Sequence, residues 1–196
     1  MDIKKIELYV KSKLEFESSG HDYLHALRVL ENSKKLITDS VDQDVVYISA
    51  LIHDLIDHKL EEKHKAKESD IITLLKESRL KEEQIESVLD IIKNISFSKG
   101  NVPSSLEGKI VQDADRLDAL GAIGIARTFA YGGKNNRLIY NKDSIDDTDS
   151  VSHFYQKLFK LSELMNTEKG KQEALERTKF MKQFIMKLDE ETGGDL

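Results

Sequence analysis

A chain of 196 residues, of which 39% are hydrophobic and 34% charged, is long enough for one domain with a sizeable core and too short for two comfortable ones. Its formal net charge of −6 argues against wrapping of nucleic acid through the phosphates, and no stretch approaches the roughly 20 apolar residues that cross a membrane. The lack of cysteine excludes disulfides and thiolate zinc sites, and the N-terminus has no signal-peptide pattern, so we expect a cytoplasmic protein.

The spacing of apolar residues predicts helices along most of the chain. One proline and ten glycines leave few positions at which a helix must break, which favours an all-α fold. The third predicted helix, 44–57, is apolar on most sides, and this predicts a central, buried position. Helical periodicity covers residues 3–17, 21–37, 44–57, 68–77, 81–95, 106–131, 151–165 and 168–189, with a break expected near 121–124.

Two polar segments interrupt this pattern. Residues 59–69 are a dense run of charge, which we interpret as a solvated loop or helix face. Residues 132–150 have no helical period and are rich in Asn, Asp and Ser, which predicts a mobile surface loop. A loop of this length in a compact domain is often functional or disordered.

Ionisable side chains occur where the sequence is most apolar. Asp54 lies in the apolar stretch 45–55, and Asp115 also has apolar neighbours. A carboxylate in such surroundings is costly unless it is paired or bound to a metal. If His25, His53 and these two carboxylates converge, they can hold one divalent cation and leave positions open for water and a substrate oxygen. That arrangement is typical of metal-assisted hydrolysis.

Helical spacing predicts which ionisable side chains near these four residues share a helix face with them. His21 lies four residues before His25 and on the same face of the predicted helix. Asp115 and Asp118 share one face of their helix, so both can reach one cleft, whereas Asp113 is expected to face elsewhere. His53 and Asp54 are about 100° apart around a helix, so both reach one metal only near a helix end or from a central helix whose end points at the site.

Three motifs are typical of a known superfamily. They are His-Xaa-Xaa-Arg-Val at 25–29, Ala-Leu-Ile-His-Asp-Leu-Ile-Asp at 50–57 and Asp-Ala-Asp-Arg-Leu-Asp at 113–118. Their order and spacing, 28 residues from His25 to His53 and 61 from Asp54 to Asp115, resemble the H…HD…D pattern of the HD-domain metal-dependent phosphohydrolases. More narrowly, the chain resembles a small bacterial subgroup of nucleotide pyrophosphohydrolases. That second resemblance rests on residues 20–25, 96–98, 111–118, 121–129 and 153–158.

The resemblance implies a fold and a set of metal ligands. The fold would be a single all-α HD-type domain over 1–196, a helical bundle with the metal in its central cleft. Its parts would be a metal-site core of about 18–131, a mobile loop of about 132–150 and C-terminal helices at 151–190. The ligands would be His25, His53, Asp54 and Asp115. They would hold one divalent ion, Mn, Mg, Fe, Co, Ni or Zn, with Mn or Mg favoured for activity.

Residues after the His-Asp pair are catalytic candidates. Asp57 falls where some related enzymes carry a glycine-lysine motif and others a glutamate. A carboxylate there cannot bind phosphate directly, but it can orient or deprotonate the attacking water. His58 is a second candidate, and its alternative is a solvent-exposed residue leading into the charged run. Asp54 itself belongs to the catalytic set through the metal.

Basic and polar residues near the motifs are candidates for substrate binding. Arg28 and Arg116 offer the bidentate fork that suits phosphate oxygens, and Lys59 offers a point charge. Each of these has a surface ion pair as its alternative role. His21 is a phosphate donor or a hydrogen-bond partner of a metal ligand. Asp118 completes this set.

These features predict hydrolysis of (deoxy)nucleoside triphosphates to monophosphate and pyrophosphate. Two alternatives stay open on the same site: a phosphomonoesterase or phosphodiesterase, and a non-catalytic nucleotide-binding sensor. A purely helical scaffold would leave four polar groups in apolar surroundings unexplained. The expected partner is a small phosphorylated molecule of the nucleotide class, with no nucleic acid and no membrane. The expected state is a monomer or homodimer.

Overall fold

The computed structural model describes residues 1–17, 20–57, 60–95, 101–141 and 148–194. Within these ranges the regular structure is helical and contains no β-strand, which confirms the predicted all-α fold. The α-helices are α1 Ile3–Leu14, α2 Tyr23–Leu36, α3 Gln43–Ile52, α4 Glu68–Glu77, α5 Glu82–Asn94, α6 Leu106–Asp118, α7 Gly121–Lys134, α8 Ser152–Gln156 and α9 Glu168–Glu191. A 3₁₀ helix, Leu158–Leu164, lies between α8 and α9. None of the described helices has the length and apolar character needed to cross a lipid bilayer.

The chain divides into two compact units, Met1–Asp115 and Arg116–Leu196. In the first unit, α3 packs against α1, α2 and α5. Seven of its ten residues are buried, so the predicted central helix is confirmed. Burial of these side chains from Val45 to Ile52 supplies much of the unit's apolar core, at about 25 cal/mol per Å² removed from water. The prediction of one domain over 1–196 stays a prediction.

The helix α3 is shorter than the sequence pattern predicts. It ends at Ile52 rather than near residue 57, and the chain continues in tight turns. The amide of Leu55 donates to the carbonyl of Ile52 at 3.0 Å, and the amide of Asp57 donates to the carbonyl of Asp54 at 2.8 Å. These bonds span three residues rather than four. His53 and Asp54 therefore stand at a helix end, where two adjacent side chains can face the same point.

An N-cap fixes the start of α2. The Oδ1 of Asp22 accepts a hydrogen bond of 2.6 Å from the amide of His25. Such a cap satisfies one of the amides that a helix leaves without a partner at its first turn. The cap also sets where the His25 side chain emerges, because His25 stands in that first turn.

The charged run at 59–69 is only partly solvated. Leu60, His64 and Ala66 are buried, which corrects the interpretation of the whole segment as a solvated loop. The Nδ1 of His64 lies 2.6 Å from the carbonyl oxygen of Lys13 and donates to it, since that oxygen can only accept. The amide of Ala66 donates to the carbonyl of Leu55 at 2.8 Å. The many charged residues of this segment made the burial of these three residues hard to predict from the sequence.

In the second unit, the break predicted near 121–124 occurs between α6 and α7. Gly121 has a φ of 71°, a left-handed conformation that glycine adopts without steric cost. A Cβ at Gly124 would lie 2.2 Å from the carbonyl oxygen of Ala119, so only glycine fits there. The helix α7 packs against α9 and continues to Lys134, three residues into the loop predicted at 132–150. Residues 142–147 of that segment lie outside the described residues.

Candidate metal centre

Four side chains of the first unit converge beyond the end of α3. The Nε2 of His25 lies 3.2 Å from the Nε2 of His53 and 3.3 Å from the Oδ2 of Asp54. It lies 3.4 Å from the Oδ1 of Asp115. The Nε2 of His53 lies 3.3 Å from the Oδ2 of Asp54 and 3.8 Å from the Oδ1 of Asp115. Four atoms that carry lone pairs therefore form one tight cluster.

A backbone hydrogen bond sets the orientation of one imidazole. The Nδ1 of His53 lies 2.8 Å from the carbonyl oxygen of Ala50, which can only accept, so Nδ1 carries the proton. In the neutral ring, Nε2 then keeps its lone pair and faces the cluster. Histidines that bind metals in proteins are usually oriented by such a bond on the other ring nitrogen.

The spacing of the four atoms fits a single divalent cation. Ligand atoms about 2.1 Å from one cation lie about 3.0 Å apart at right angles and about 3.4 Å apart at tetrahedral angles. The five separations given above run from 3.2 to 3.8 Å, close to those values. Two carboxylates neutralise a dication, and two imidazoles suit Mn, Fe, Co, Ni or Zn. His25, His53, Asp54 and Asp115 therefore fit the group that the sequence implies.

The electrostatics of the cluster favour positive charge at its centre. Burial tends to lower the pKa of His53, but the carboxylates of Asp54 and Asp115 together outweigh burial, and the pKa is raised. Burial tends to raise the pKa of Asp54, yet the neighbouring histidines hold it well below its usual range. The pKa of Asp115 is also lowered, against the effect of burial, by His25 and His53. Both carboxylates are thus anionic at neutral pH.

His21 lies beside the cluster as a hydrogen-bond donor. Its Nδ1 is 2.7 Å from the Oδ2 of Asp54, the distance of a hydrogen bond to a carboxylate. His21 therefore contacts the carboxylate that faces His25 and His53, and with His25 and Asp54 it forms a second group whose atoms lie within 4.8 Å of one another. The side chains of His21 and Asp115 keep 24% and 30% exposure, so the cluster is reachable from solvent on their side.

The other predicted site residues are placed as follows. Asp57 stands at the end of the turn that begins at Asp54, three residues away. Arg28 lies on α2, one turn beyond His25. His58 and Lys59 lie outside the described residues. Their roles in catalysis and substrate binding stay predictions.

Two predicted substrate-binding residues have structural partners in the second unit. Arg116 donates from Nη1 to the carbonyl oxygen of Leu164. Asp118 is buried and forms an ion pair with Arg127, nine residues further along the chain. Asp113, expected to face away from the cleft, is fully buried. These contacts give Arg116 and Asp118 a role in folding, whatever they do toward substrate.

We expect Asp118→Asn to lower the free energy of unfolding. The substitution leaves the Arg127 guanidinium without its carboxylate, and breaking such a pair costs about 1–3 kcal/mol when one partner is partly exposed. Urea unfolding at pH 7 measures the change, with Asp39→Asn in the exposed turn after α2 as the matched control. Unchanged stability combined with a raised KM would instead assign Asp118 to substrate binding alone.

Sequence reasoning missed one residue of this region, Glu17. Its side chain is buried, and its Oε2 accepts a hydrogen bond of 3.0 Å from the amide of His21. The spacing of four residues before His21 was visible in the sequence. Ser18-Ser19-Gly20, between the two residues, breaks the helical pattern, so helical spacing could not connect them.

Comparisons with known proteins identify the family of this chain. The HD domain family model matches residues 22–120. Protein YpgQ of Bacillus subtilis is 38% identical over 196 residues, covering 97% of this chain and 94% of that protein.

Solved structures give the same result. The crystal structure of Bacillus subtilis YpgQ in complex with ADP superposes with a TM-score of 0.83 and 35% identity, covering 99% of this chain and 98% of that one. An HD-superfamily hydrolase from Bacillus thuringiensis superposes with a TM-score of 0.82 and 42% identity, covering 98% and 97%. The chain therefore belongs to the HD-domain family and is an HD-superfamily hydrolase.

Proposed function

We propose that this protein is a metal-dependent phosphohydrolase that splits (deoxy)nucleoside triphosphates into monophosphate and pyrophosphate. The observation that carries the proposal is the convergence of His25, His53, Asp54 and Asp115 within 3.2–3.8 Å over five atom pairs. The relative from Bacillus subtilis, crystallised in complex with ADP, supports a nucleotide as the substrate class.

The four converging residues hold the cation, with Mn or Mg favoured for activity. When bound, a divalent cation supplies Lewis-acid chemistry, which makes phosphorus more open to attack by water. Asp54 and Asp115 contribute the negative charge that retains it, and His25 and His53 contribute neutral nitrogen donors. Because three of these side chains are buried, they are held in place before substrate arrives.

Asp57 is the proposed general base. It follows the Asp54 turn, so its backbone is tied to the metal-site backbone by the 2.8 Å hydrogen bond from its amide. A carboxylate positioned in this way orients the attacking water and accepts its proton. His58 is the proposed second group for proton transfer.

Basic side chains are proposed to hold the phosphates that do not react. Arg28 lies one turn beyond His25 on α2, and Lys59 and Arg116 follow the other two motifs. With both ring nitrogens protonated, His21 donates to Asp54 from Nδ1 and can donate to a phosphate oxygen from Nε2. Asp118 completes the proposed substrate-binding set.

The test is product analysis with purified protein supplied with Mn or Mg in parallel. Each preparation is incubated in ¹⁸O-enriched water with a panel of nucleoside triphosphates, nucleoside monophosphates and cyclic or bridged phosphodiesters. The products are separated by chromatography and identified by mass spectrometry. We expect monophosphate and pyrophosphate, with a chelator abolishing both. The position of the ¹⁸O atom identifies the phosphorus that water attacks.

Other products would overturn the proposal in distinct ways. Orthophosphate from a nucleoside monophosphate would indicate a phosphomonoesterase, and opening of a cyclic or bridged diester would indicate a phosphodiesterase. Binding of nucleotide and metal with no product from any substrate would indicate a sensor.

A further inference from the structure

A continuous set of contacts links a buried carboxylate outside the cluster to a member of it. The Oε2 of Glu17 accepts from the amide of His21 at 3.0 Å, and the Nδ1 of His21 donates to the Oδ2 of Asp54 at 2.7 Å. We infer that Glu17 is a positioning residue for the metal centre, acting through His21 on the orientation of the Asp54 carboxylate. The inference rests on the proposed function for its catalytic meaning, and its contacts stand without it.

The backbone at His21 needs an acceptor that α2 does not provide. The helix begins at Tyr23, so the His21 amide is outside the helical hydrogen-bond pattern. Gly20, directly before it, has a φ of 102°, a conformation that directs the chain sharply toward the Asp22 cap. Glu17 supplies the missing acceptor and fixes the position from which the His21 ring extends.

The backbone of Glu17 is hydrogen-bonded to the end of α1. Its amide donates to the carbonyl of Leu14 at 3.1 Å, at the end of α1. Leu14 is buried, and the neighbouring Lys13 carbonyl accepts a hydrogen bond from His64. A buried carboxylate is costly without hydrogen bonds, so the amide of His21 also stabilises Glu17.

The carboxylate oxygen that accepts the hydrogen bond from His21 is also the oxygen that faces the two imidazoles of the cluster. The Oδ2 of Asp54 lies 3.3 Å from the Nε2 of His25 and 3.3 Å from the Nε2 of His53. A donor on this oxygen fixes the rotation of the carboxylate about its χ2 angle. Loss of the donor, or of the residue that holds the donor, lets the carboxylate turn away from the two imidazoles.

The test is a double-mutant cycle with Glu17→Met, which keeps the side-chain length and removes the strong acceptor. The affinity for Mn²⁺ is measured by competition with a chelating dye. We expect His21→Ala to weaken binding by about 10-fold or more, and Glu17→Met by a smaller factor of roughly 3–10, since hydrogen-bond partners of ligands contribute 10–100-fold. In the His21→Ala background, Glu17→Met should have no further effect.

Three controls make the result decisive. Glu17→Gln keeps an acceptor oxygen and should bind Mn²⁺ as the unaltered protein does. Glu15 is exposed at the same end of α1, and Glu15→Ala should leave the affinity for Mn²⁺ unchanged. Thermal unfolding in chelator shows whether each variant folds.

Two outcomes would overturn the inference: an unchanged affinity in Glu17→Met, or the same loss with and without His21. If Glu17→Met does not fold, the comparison of Glu17→Gln with the unaltered protein decides, and a weakened Glu17→Gln would refute the role as acceptor. Metal affinity is measured without turnover, so a failure of the proposed nucleotide hydrolysis would leave this result readable.

Discussion

Replacing Asp54 with asparagine is expected to remove both the tightly bound divalent cation and hydrolysis. The Oδ2 of Asp54 contacts His21, His25 and His53 within 3.3 Å, so this one oxygen lies at the centre of the cluster. Asparagine keeps the size of the side chain and loses the negative charge. We expect Mn²⁺ affinity to fall by more than about 100-fold, because loss of an outer hydrogen-bond partner alone costs 10–100-fold.

Competition titration with a chelating dye measures the affinity, and nucleotide turnover at matched metal concentration measures the activity. Asp70→Asn makes the same chemical change on the exposed face of α4 and should alter neither quantity. An Asp54→Asn protein that binds Mn²⁺ normally would contradict the four-residue site. One that binds normally and fails only in turnover would assign Asp54 to substrate rather than metal.

The helices and the cluster were predictable because their signals are local or repeated. The apolar spacing of the helices marks their buried faces directly, and α3 stood out because it lacks a polar face. His25, His53, Asp54 and Asp115 could be grouped because buried ionisable groups need a shared explanation. The order and spacing of the motifs then matched the pattern of a known family, which grouped these four residues as one set of ligands.

Details that depend on backbone contacts were not predictable. The sequence does not show that the carbonyl of Ala50 fixes the His53 ring, or that the amide of His21 binds Glu17. Helical periodicity placed Asp118 on the face of Asp115, but it could not show that Arg127 reaches that carboxylate. Side-chain pairs across a turn depend on where the helix ends, and α6 ends at Asp118, three residues before Gly121 with its positive φ.

The site also predicts a large, pH-dependent effect of divalent cations on stability. A cation that binds only the folded protein stabilises it by about 2.7 kcal/mol at a concentration 100 times Kd. For a chain of this size that corresponds to a rise in Tm of roughly 5–10 °C. We expect Mn²⁺ to raise Tm by this amount near pH 8, measured by differential scanning fluorimetry against a matched sample in chelator.

The direction of the pH effect follows from the pKa shifts. Metal binding needs neutral imidazoles, and the pKa of His53 is raised, so protons compete with the cation already above pH 6.5. In the cation-free protein the same upward shift contributes stability at acidic pH that is lost as pH rises through the folded pKa. Both effects make the Tm in Mn²⁺ approach the Tm in chelator as the pH falls. The pKa values of Asp54 and Asp115 are lowered, so these carboxylates stay anionic throughout, and protonation of His53 sets the pH window.

The Tm difference between Mn²⁺ and chelator should therefore shrink steadily from pH 8 to pH 5.5. His53→Gln, which removes one nitrogen donor, should show little difference at any pH. A Tm difference that is independent of pH, or that His53→Gln retains in full, would mean that the cation binds elsewhere. A stabilisation that depends on both pH and His53 would instead tie the cation to the imidazole facing Asp54 and Asp115, because that ring is the donor whose protonation the two carboxylates favour.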